Sequence, residues 1–367
     1  MSDEPKIIQL AREISQKTSI LSDYFAAHDL PFPSLDASAA LSVQIPEDNI
    51  ELQKARVTAV EACEELRAIL MGPRELLALN WTANTSLRAI LRYKLDQSFP
   101  VGGESSFHAI ADASGLNAYD VRRLIRHGIL NHHLFEEPSP GVVKHSALTK
   151  ALAKDPDLRD AIQNAVEEFL PSSYRLVDAI ERWPKSEENW ETAFSLAHNT
   201  NSSMWEYFRA NPEKGSRFAK AMSYSSGKKD HDTDLLLANV AWPDDGVVVD
   251  VGGSHGSVAL SIARRFPKVK CIVQDLPDVV QEGKKQLPGD LSDQVDFMAH
   301  DFFTPQPVTA DIYYLRWILH NWPDKYCINI LRNLIPALKA GALILIHEQV
   351  LPTDIGEMSV SEARRLM

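Results

Sequence analysis

The chain has 367 residues, of which 44% are hydrophobic, and carries 38 basic and 50 acidic side chains for a formal net charge of -12. This length and composition predict about two domains with packed cores rather than a disordered chain. An acidic chain is a poor candidate for binding nucleic acid, because phosphate backbones attract positive surfaces.

The N-terminus is polar, without the apolar core of a signal peptide, and no apolar run approaches the ~18 residues that a membrane helix needs. The three cysteines are widely spaced and form no C-x-x-C pair, which argues against a zinc site and suits a reduced compartment. We therefore expect a cytoplasmic protein that uses no metal, no nucleic acid and no membrane.

Apolar periodicity predicts two N-terminal helices, over 7–30 and from about 51 to 71, with a proline-containing loop between them. Gly72-Pro73 is expected to end the second helix. The apolar faces of these helices have no evident partner within the chain. We therefore expect a homodimer.

The stretch 98–152 has a different pattern. It predicts a short helix from Phe107 that ends at Gly115, a second helix capped by Asn117 and closed by Gly128, and a hairpin that includes Val142. This is the order of a winged helix. The arginines of the second helix would suit DNA, but the apolar residues between them and the acidic chain favour a packing role.

Residues 155–240 are predicted to be helical and rich in large apolar side chains. From 246 onwards strands and helices alternate, which predicts a doubly wound, mostly parallel sheet of the α/β class. The predicted strands are 247–251, 271–273, 295–298, 312–315 and 342–346, with helices at 257–266, 278–287 and 324–339. The expected domains are residues 1–170, helical, and residues 171–367, α/β.

A glycine turn lies between the first strand of this sheet and its helix. It begins at Asp250 and contains Gly252, Gly253 and Gly256. Glycines let a ligand approach the backbone closely, and the following helix offers free N–H groups. The spacing fits neither G-x-G-x-x-G nor a Walker motif, so pyrophosphate binding is disfavoured.

Two further carboxylates follow the next two strands. Asp275, before Leu276, is placed to accept both hydroxyls of a ribose. Asp301, before Phe302, pairs an acceptor for an exocyclic amine with an aromatic face for an adenine. Any one of these could be a surface acid, but their recurrence at consecutive strand ends predicts a nucleoside site.

His320 follows the fourth strand and Glu348 follows the fifth. A phenol that attacks as a nucleophile must lose its proton as it does so. Phenol has a pKa near ~10 and imidazole near ~6.5, so a positioned neutral histidine is a suitable general base. Glu348 is expected to orient the His320 ring and stabilise its charged form.

These motifs together resemble the winged-helix O-methyltransferases of the caffeate O-methyltransferase-like group, and in particular fungal members near sterigmatocystin O-methyltransferase, which act on polyketides and other secondary metabolites. The resemblance covers nearly the whole chain. The matching segments include Met71-Gly72-Pro73-Arg74-Glu75, Arg217-Phe218-Ala219-Lys220-Ala221-Met222, Asp250-Val251-Gly252-Gly253, Gln274-Asp275-Leu276-Pro277, Asp301-Phe302-Phe303 and His320-Asn321-Trp322.

The resemblance implies S-adenosylmethionine as cofactor, a homodimer built by the N-terminal helices, and a phenolic or polyketide substrate. It also implies roles for individual residues: ribose contact at Asp275, adenine contact at Asp301 and Phe302, cofactor contact at Arg316, the base at His320, a flanking acid at Glu348 and substrate contact at Met222. We also expect Trp317 and Asn321, in the same segment as His320, to contact the substrate.

The chain departs from the family pattern in two places. Ser254 stands where a third glycine is usual, and the chain stops at Met367, before the family's second flanking acid and last two strands. The strand 342–346 is apolar on both faces, as is typical of an interior strand, but the family strands that would pair with its second edge are not in this chain. We therefore expect an unpaired edge, poor stability and low activity. Three alternatives stay open: a methyltransferase, an impaired or non-catalytic relative, and a methyltransferase-like pericyclase.

Overall fold

The computed structural model describes residues 4–78, 80–226, 233–348 and 350. Within these ranges the chain forms two compact units, one of residues 4–171 and 211–224, the other of residues 172–210 and 225–350. The last segment, 351–367, in which the sequence predicts the start of a helix at Arg364-Arg365-Leu366-Met367, lies outside the described residues.

Helices predominate in the first 240 residues, and further helices alternate with strands after that point. Those described are α1 (Lys6–Ala27), α2 (Ile50–Leu76), α3 (Thr85–Arg92), α4 (Phe107–Ser114), α5 (Ala118–His132), α6 (Ala147–Lys154), α7 (Pro156–Asn164), α8 (Leu170–Ser173), α9 (Leu176–Arg182), α10 (Ala193–Ala197), α11 (Met204–Ala210), α12 (Pro212–Ser226), α13 (Thr233–Asn239), α14 (Ser257–Arg265), α15 (Pro277–Gln286) and α16 (Asp324–Leu334).

Two separate sheets accompany these helices. The small one contains β1 (Glu104–Ser106), β2 (Glu136–Ser139) and β3 (Val142–Lys144), and the large one contains β4 (Gly246–Val251), β5 (Val269–Asp275), β6 (Val295–Ala299), β7 (Ala310–Arg316) and β8 (Leu338–His347). None of the helices described is long and apolar enough to cross a membrane.

Both predicted N-terminal helices are present, and the helical backbone of α2 breaks at Gly72, as the Gly72-Pro73 pair predicts. Gly72 is left-handed at φ 68°, and the helix resumes after it and continues to Leu76. Pro73 can occupy the first turn of the resumed helix, where its missing N–H has no partner to lose. Gly72-Pro73 therefore stops the first helical segment of α2, and a short second segment follows across the kink.

The helices α4 and α5 form as the sequence predicts, with Gly115 left-handed after the first and the Asn117 side chain capping the second. The predicted end of α5 is wrong, because the helix continues through Gly128 to His132. A Cβ at Gly128 would lie 3.0 Å from Ile90 Cδ1. Gly128 therefore allows close packing between helices instead of ending one.

The strands β2 and β3 form a hairpin after α5, and β1 pairs with the other edge of β3. Both pairings are antiparallel. The first unit has its own core between these strands and the surrounding helices. Its fully buried members include Ile90, Leu91, Ile110, Val121, Ile125, Phe135 and Val143.

The large sheet is parallel throughout, in the order β6-β5-β4-β7-β8. The predicted doubly wound α/β fold is therefore confirmed. Val248 and Val249 of β4, at the sheet centre, have no exposed surface, and they belong to separate cores on opposite faces. All strands run the same way, so their carboxyl ends lie along one edge, hereafter the carboxyl edge.

The strand β8 differs from its prediction. It begins at Leu338, so the helix predicted over 324–339 is too long; α16 ends at Leu334 and a 3-10 turn follows. Among the described residues β8 pairs only with β7 and is outermost, which agrees with the expected unpaired edge. Its apolar side chains Leu343 and Ile346 are 49% and 47% exposed.

Candidate active site

The glycine turn leaves β4 at the centre of the carboxyl edge. Gly252 has φ 72°, and the N–H groups of Gly252 and Gly253 donate to the main-chain oxygen of Gln274, at 2.7 and 3.1 Å. A Cβ at Gly252 would lie 2.5 Å from Ile318 Cδ1, and a Cβ at Gly253 would lie 2.5 Å from Asp250 Cγ. Gly252 is thus required for its backbone conformation, and at both positions a side chain would collide with a neighbour. The turn therefore presents bare backbone, which a ligand can approach closely.

Asp250 lies beneath this turn and is 3% exposed. Burial, together with the nearby Asp275 carboxylate, raises its pKa to about 7, and the Arg316 guanidinium partly opposes that rise. The carboxyl group is therefore poised between its neutral and charged forms near pH 7.

Asp275 ends β5 beside the glycine turn. Its Oδ2 accepts from the Ser254 N–H at 2.9 Å and its Oδ1 from the Leu276 N–H at 2.8 Å. Burial raises its pKa, and these two backbone donors oppose the rise. Each carboxylate oxygen keeps a second lone pair, which could accept a ligand hydroxyl. Ser254 is left-handed at φ 52°, so the turn keeps this conformation although the usual third glycine is absent.

Asp301 and Phe302 follow β6 in a turn that Asp301 itself stabilises. The Asp301 side chain accepts from the Phe303 N–H at 2.9 Å, and the carboxyl group is exposed. The Phe302 ring packs edge-on against Phe303 and against Trp322. This arrangement fixes an aromatic side chain beside an accessible carboxylate.

His320 and Glu348 meet at the ends of β7 and β8. Glu348 Oε2 lies 2.6 Å from His320 Nδ1, while Oε1 accepts from the main-chain N–H of Leu319 at 2.8 Å. Glu348 therefore holds both the imidazole ring and the turn that carries it. The His320 side chain is 50% exposed and that of Glu348 only 15% exposed. With Nδ1 bonded to a carboxylate, Nε2 is the ring nitrogen left to accept a proton.

The segment between β7 and His320 is tightly constrained. Trp317 has φ 56°, its N–H donates to His347 O at 3.1 Å, and its own oxygen accepts from Asn321 Nδ2 at 3.0 Å. Arg316 lies over the Trp317 ring, 4.6 Å from its centroid. A left-handed conformation is costly for tryptophan, and such residues concentrate at functional sites.

The predicted site residues thus fall into two groups. All of those on the α/β unit, from Asp250 to Glu348, lie at the carboxyl edge or in the turns that leave it. Met222 is different, because it lies on α12 in the first unit, where it is 43% exposed.

Sequence reasoning missed two buried polar contacts at this edge. The Tyr314 hydroxyl lies 2.7 Å from His347 Nδ1, and the side-chain amides of Gln274 and Gln306 bond to each other at 2.8 Å in both directions. Each contact joins separate strands or loops, so no local sequence pattern marks it.

Comparison with known proteins assigns the chain to a protein family. The O-methyltransferase domain family matches residues 174–366. O-methyltransferase pyvH of Aspergillus violaceofuscus (strain CBS 115571) is 36% identical, over 98% of this chain and 86% of that protein. The grayanic acid biosynthesis cluster O-methyltransferase of Cladonia grayi is 39% identical, over 95% of this chain and 73% of that protein.

Solved structures agree on the fold. The crystal structure of OxaC superposes with a TM-score of 0.75 at 21% identity, over 98% of this chain and 88% of that one. A LepI variant in complex with SAH and a substrate analogue gives 0.66 at 26% identity, over 82% and 80%. A structure described as a pericyclic reaction enzyme gives 0.65 at 26% identity, also over 82% and 80%.

The chain belongs to the O-methyltransferase domain family, and its relatives include enzymes of fungal secondary metabolism. The resemblance inferred from the sequence motifs is therefore confirmed.

Proposed function

We propose that this protein is an S-adenosylmethionine-dependent O-methyltransferase that acts on a hydroxyl of an aromatic or polyketide secondary metabolite, with His320 as general base. The observation that carries the proposal is the His320–Glu348 pair, 2.6 Å apart, at the same sheet edge as the glycine turn. Base and nucleoside-type site thus share one edge of one unit.

The residues present fit the cofactor. The glycine turn provides backbone without side chains, and a Cβ at Gly252 or Gly253 would collide with the side chain of Ile318 or Asp250. Asp275 offers acceptors for ribose hydroxyls, while Asp301 and Phe302 suit an adenine amine and ring face. The related LepI variant binds SAH, which supports the same ligand class here.

When bound, S-adenosylmethionine supplies a methyl group on a positively charged sulfur. His320 removes the proton of the acceptor hydroxyl through Nε2, which makes the oxygen a better nucleophile. Glu348 keeps the ring in one orientation through Nδ1 and stabilises the imidazolium that forms. Met222, Trp317 and Asn321 are proposed to contact the substrate.

The direct test is incubation with cofactor labelled on the methyl group and a panel of phenolic polyketides, followed by detection of labelled product. We expect product from at least one phenol and none from its methyl ether. Calorimetry should show binding of S-adenosylmethionine or its demethylated product and none of NAD. No labelled product together with tight NAD binding would contradict the proposal.

A second candidate function is pericyclic catalysis, which the likeness to a pericyclic reaction enzyme favours. Such a reaction needs no base and transfers no methyl group. The same labelled assay separates the two: isomerised but unlabelled product would favour the pericyclase. The hydrogen-bonded pair of His320 and Glu348 favours methyl transfer, because of the two reactions only that one uses a proton acceptor.

We further propose that residues 1–170 form a winged-helix dimerisation domain and that the protein is a homodimer. A groove of ≈ 410 Å³ between α1 and α2 is lined by apolar side chains that include Ile14, Leu66 and Leu70. Leu70 and Leu77 are 69% and 77% exposed in the single chain. Large exposed apolar surfaces on one side of a protein are typical of interfaces between chains.

A further inference from the structure

We propose that Gln274 and Gln306 are positioning residues that hold the Asp301 loop, residues 301–306, against the glycine turn, and so set the separation of the two ends of the nucleoside site. The inference rests on the proposed cofactor binding. It adds two residues that contact neither the base nor the acceptor hydroxyl.

The two glutamines form a closed pair of hydrogen bonds. Nε2 of each donates to Oε1 of the other, and both distances are 2.8 Å. Gln274 is 1% exposed and Gln306 is 5% exposed. Water therefore cannot replace either bond, and removing one side chain leaves a buried amide unsatisfied.

Gln274 connects this pair to the glycine turn through its main chain. Its carbonyl oxygen accepts from both Gly252 and Gly253, and the next residue is Asp275. Any shift of the Gln274 side chain is thereby passed to the turn and to the ribose-type carboxylate.

Gln306 connects the pair to the Asp301 loop. Its N–H donates to Asn333 O at 2.8 Å, and Asn333 Nδ2 donates to Phe302 O at 3.2 Å. The Gln306 side-chain oxygen also accepts from Val308 N at 3.1 Å. A continuous path of hydrogen bonds thus runs from Gly252 to Phe302, and the glutamine pair is its central link.

The geometry predicts a specific kinetic signature. Loss of the pair lets the Asp301 loop move relative to Asp275, which weakens binding of the nucleoside half that S-adenosylmethionine and S-adenosylhomocysteine share. His320 is held by Glu348 and not by the glutamines. The KM for cofactor should therefore rise while kcat changes little.

The test compares the Kd of both cofactor forms by calorimetry for the unmodified protein, Gln274→Leu, Gln306→Leu and the double variant. Each single variant should weaken both forms by about tenfold. The double variant should weaken them by less than the product of the two, because neither glutamine side chain is then left without the other, and loss of the Val308 N–H acceptor is common to Gln306→Leu and the double variant. The matched control is Gln294→Leu, another glutamine of this sheet that directly precedes β6 at the opposite edge; it should leave both Kd values unchanged.

Thermal melting accompanies each measurement, and Gln306→Met replaces Gln306→Leu if the latter does not fold. Single variants that bind both cofactor forms as tightly as the unmodified protein does would overturn this inference and leave the proposed function standing. Effects that multiply in the double variant would also overturn it. If the unmodified protein binds neither cofactor form, the proposed function fails and the inference fails with it.

Discussion

A single carboxylate, Glu348, fixes both the ring of His320 and the main chain that carries it. Glu348 bonds to the ring at Nδ1 and to the main chain at Leu319, so rotation of the ring and movement of the turn are both restricted. The proposed base is thus aligned before any ligand arrives, which is the condition under which positioning contributes to rate.

Replacing His320 with alanine should reduce turnover by ~10²-fold or more, because the proposed proton acceptor is then missing. The cofactor Kd should stay within a few fold, since the hydrogen bond described for the His320 side chain goes to Glu348 and not to a proposed nucleoside-binding residue. Steady-state kinetics and calorimetry check the two parts. Glu348→Gln should be milder, because it disturbs orientation and leaves the imidazole. Near-normal turnover in His320→Ala would exclude His320 as the base.

Asp250 should make folding stability depend on pH. Its pKa is raised from 3.8 to about 7 in the folded protein. A raised carboxyl pKa contributes stability that is fully present below about pH 4 and is lost as pH rises through about 7. Asp250→Asn keeps the shape but cannot ionise. This variant should therefore gain stability relative to the unmodified protein as pH increases, by on the order of a few kcal/mol at pH 8.

Thermal melting at pH 5 and pH 8 measures this effect. The control is Asp290→Asn, in which an exposed aspartate changes in the same way; its melting temperature should match the unmodified protein at both pH values. A difference between Asp250→Asn and the unmodified protein that is equal at pH 5 and pH 8 would show that Asp250 is already ionised at pH 5.

At the scale of elements, the turn after β4 depends on the absence of a side chain at Gly253. Gly253→Ala would place a methyl group 2.5 Å from Asp250 Cγ, so the turn or the buried carboxyl group must move. We expect at least ~10-fold weaker cofactor binding, because the ligand would meet a displaced backbone. Gly289→Ala is the matched control, since nothing lies within 4 Å of its added methyl group.

Calorimetry gives the affinities and thermal melting detects any loss of fold. The idea of a sterically required glycine fails if Gly253→Ala binds as well as Gly289→Ala does.

Three glycines show how far local sequence patterns predict elements. Gly115 ends α4, as its position after the last apolar residue predicts. Gly72 breaks the helical backbone of α2, also as predicted, whereas Gly128 lies inside α5, where it allows the Ile90 side chain to approach. The role of Gly128 depends on which helix packs nearby, which the local pattern does not contain.

The carboxyl edge was more predictable than the helix ends. Parallel strands place all of their following turns on one edge, so Asp275, Asp301 and His320 could be assigned to it from strand order alone. The Gln274–Gln306 pair could not, because it joins residues 32 positions apart through side chains that carry no distinctive motif. What remains unpredicted is therefore the packing that fixes each loop.

For the whole molecule, the exposed apolar surface of α1 and α2 predicts dimerisation. Leu70→Glu should shift the protein towards monomer, because a charge would be buried without a partner in an interface. Light scattering at micromolar concentration measures the mass. Lys268→Glu, an exposed change on the α/β unit, should leave the mass of a dimer. An unmodified protein that is already monomeric would contradict the proposed homodimer.

The central place of β4 also determines how the protein exchanges its amide protons. Residues 248–250 pair with β5 on one side and β7 on the other, whereas β6 and β8 are outermost among the described strands. Amides bonded within the sheet centre become accessible to deuterium only in the rarest openings. In hydrogen–deuterium exchange by mass spectrometry, peptides covering 246–251 should therefore take up deuterium last, and those covering 338–347 much earlier. The glycine turn is thus attached to the segment that opens least often, so transient unfolding at the sheet margins can occur while its anchor remains intact.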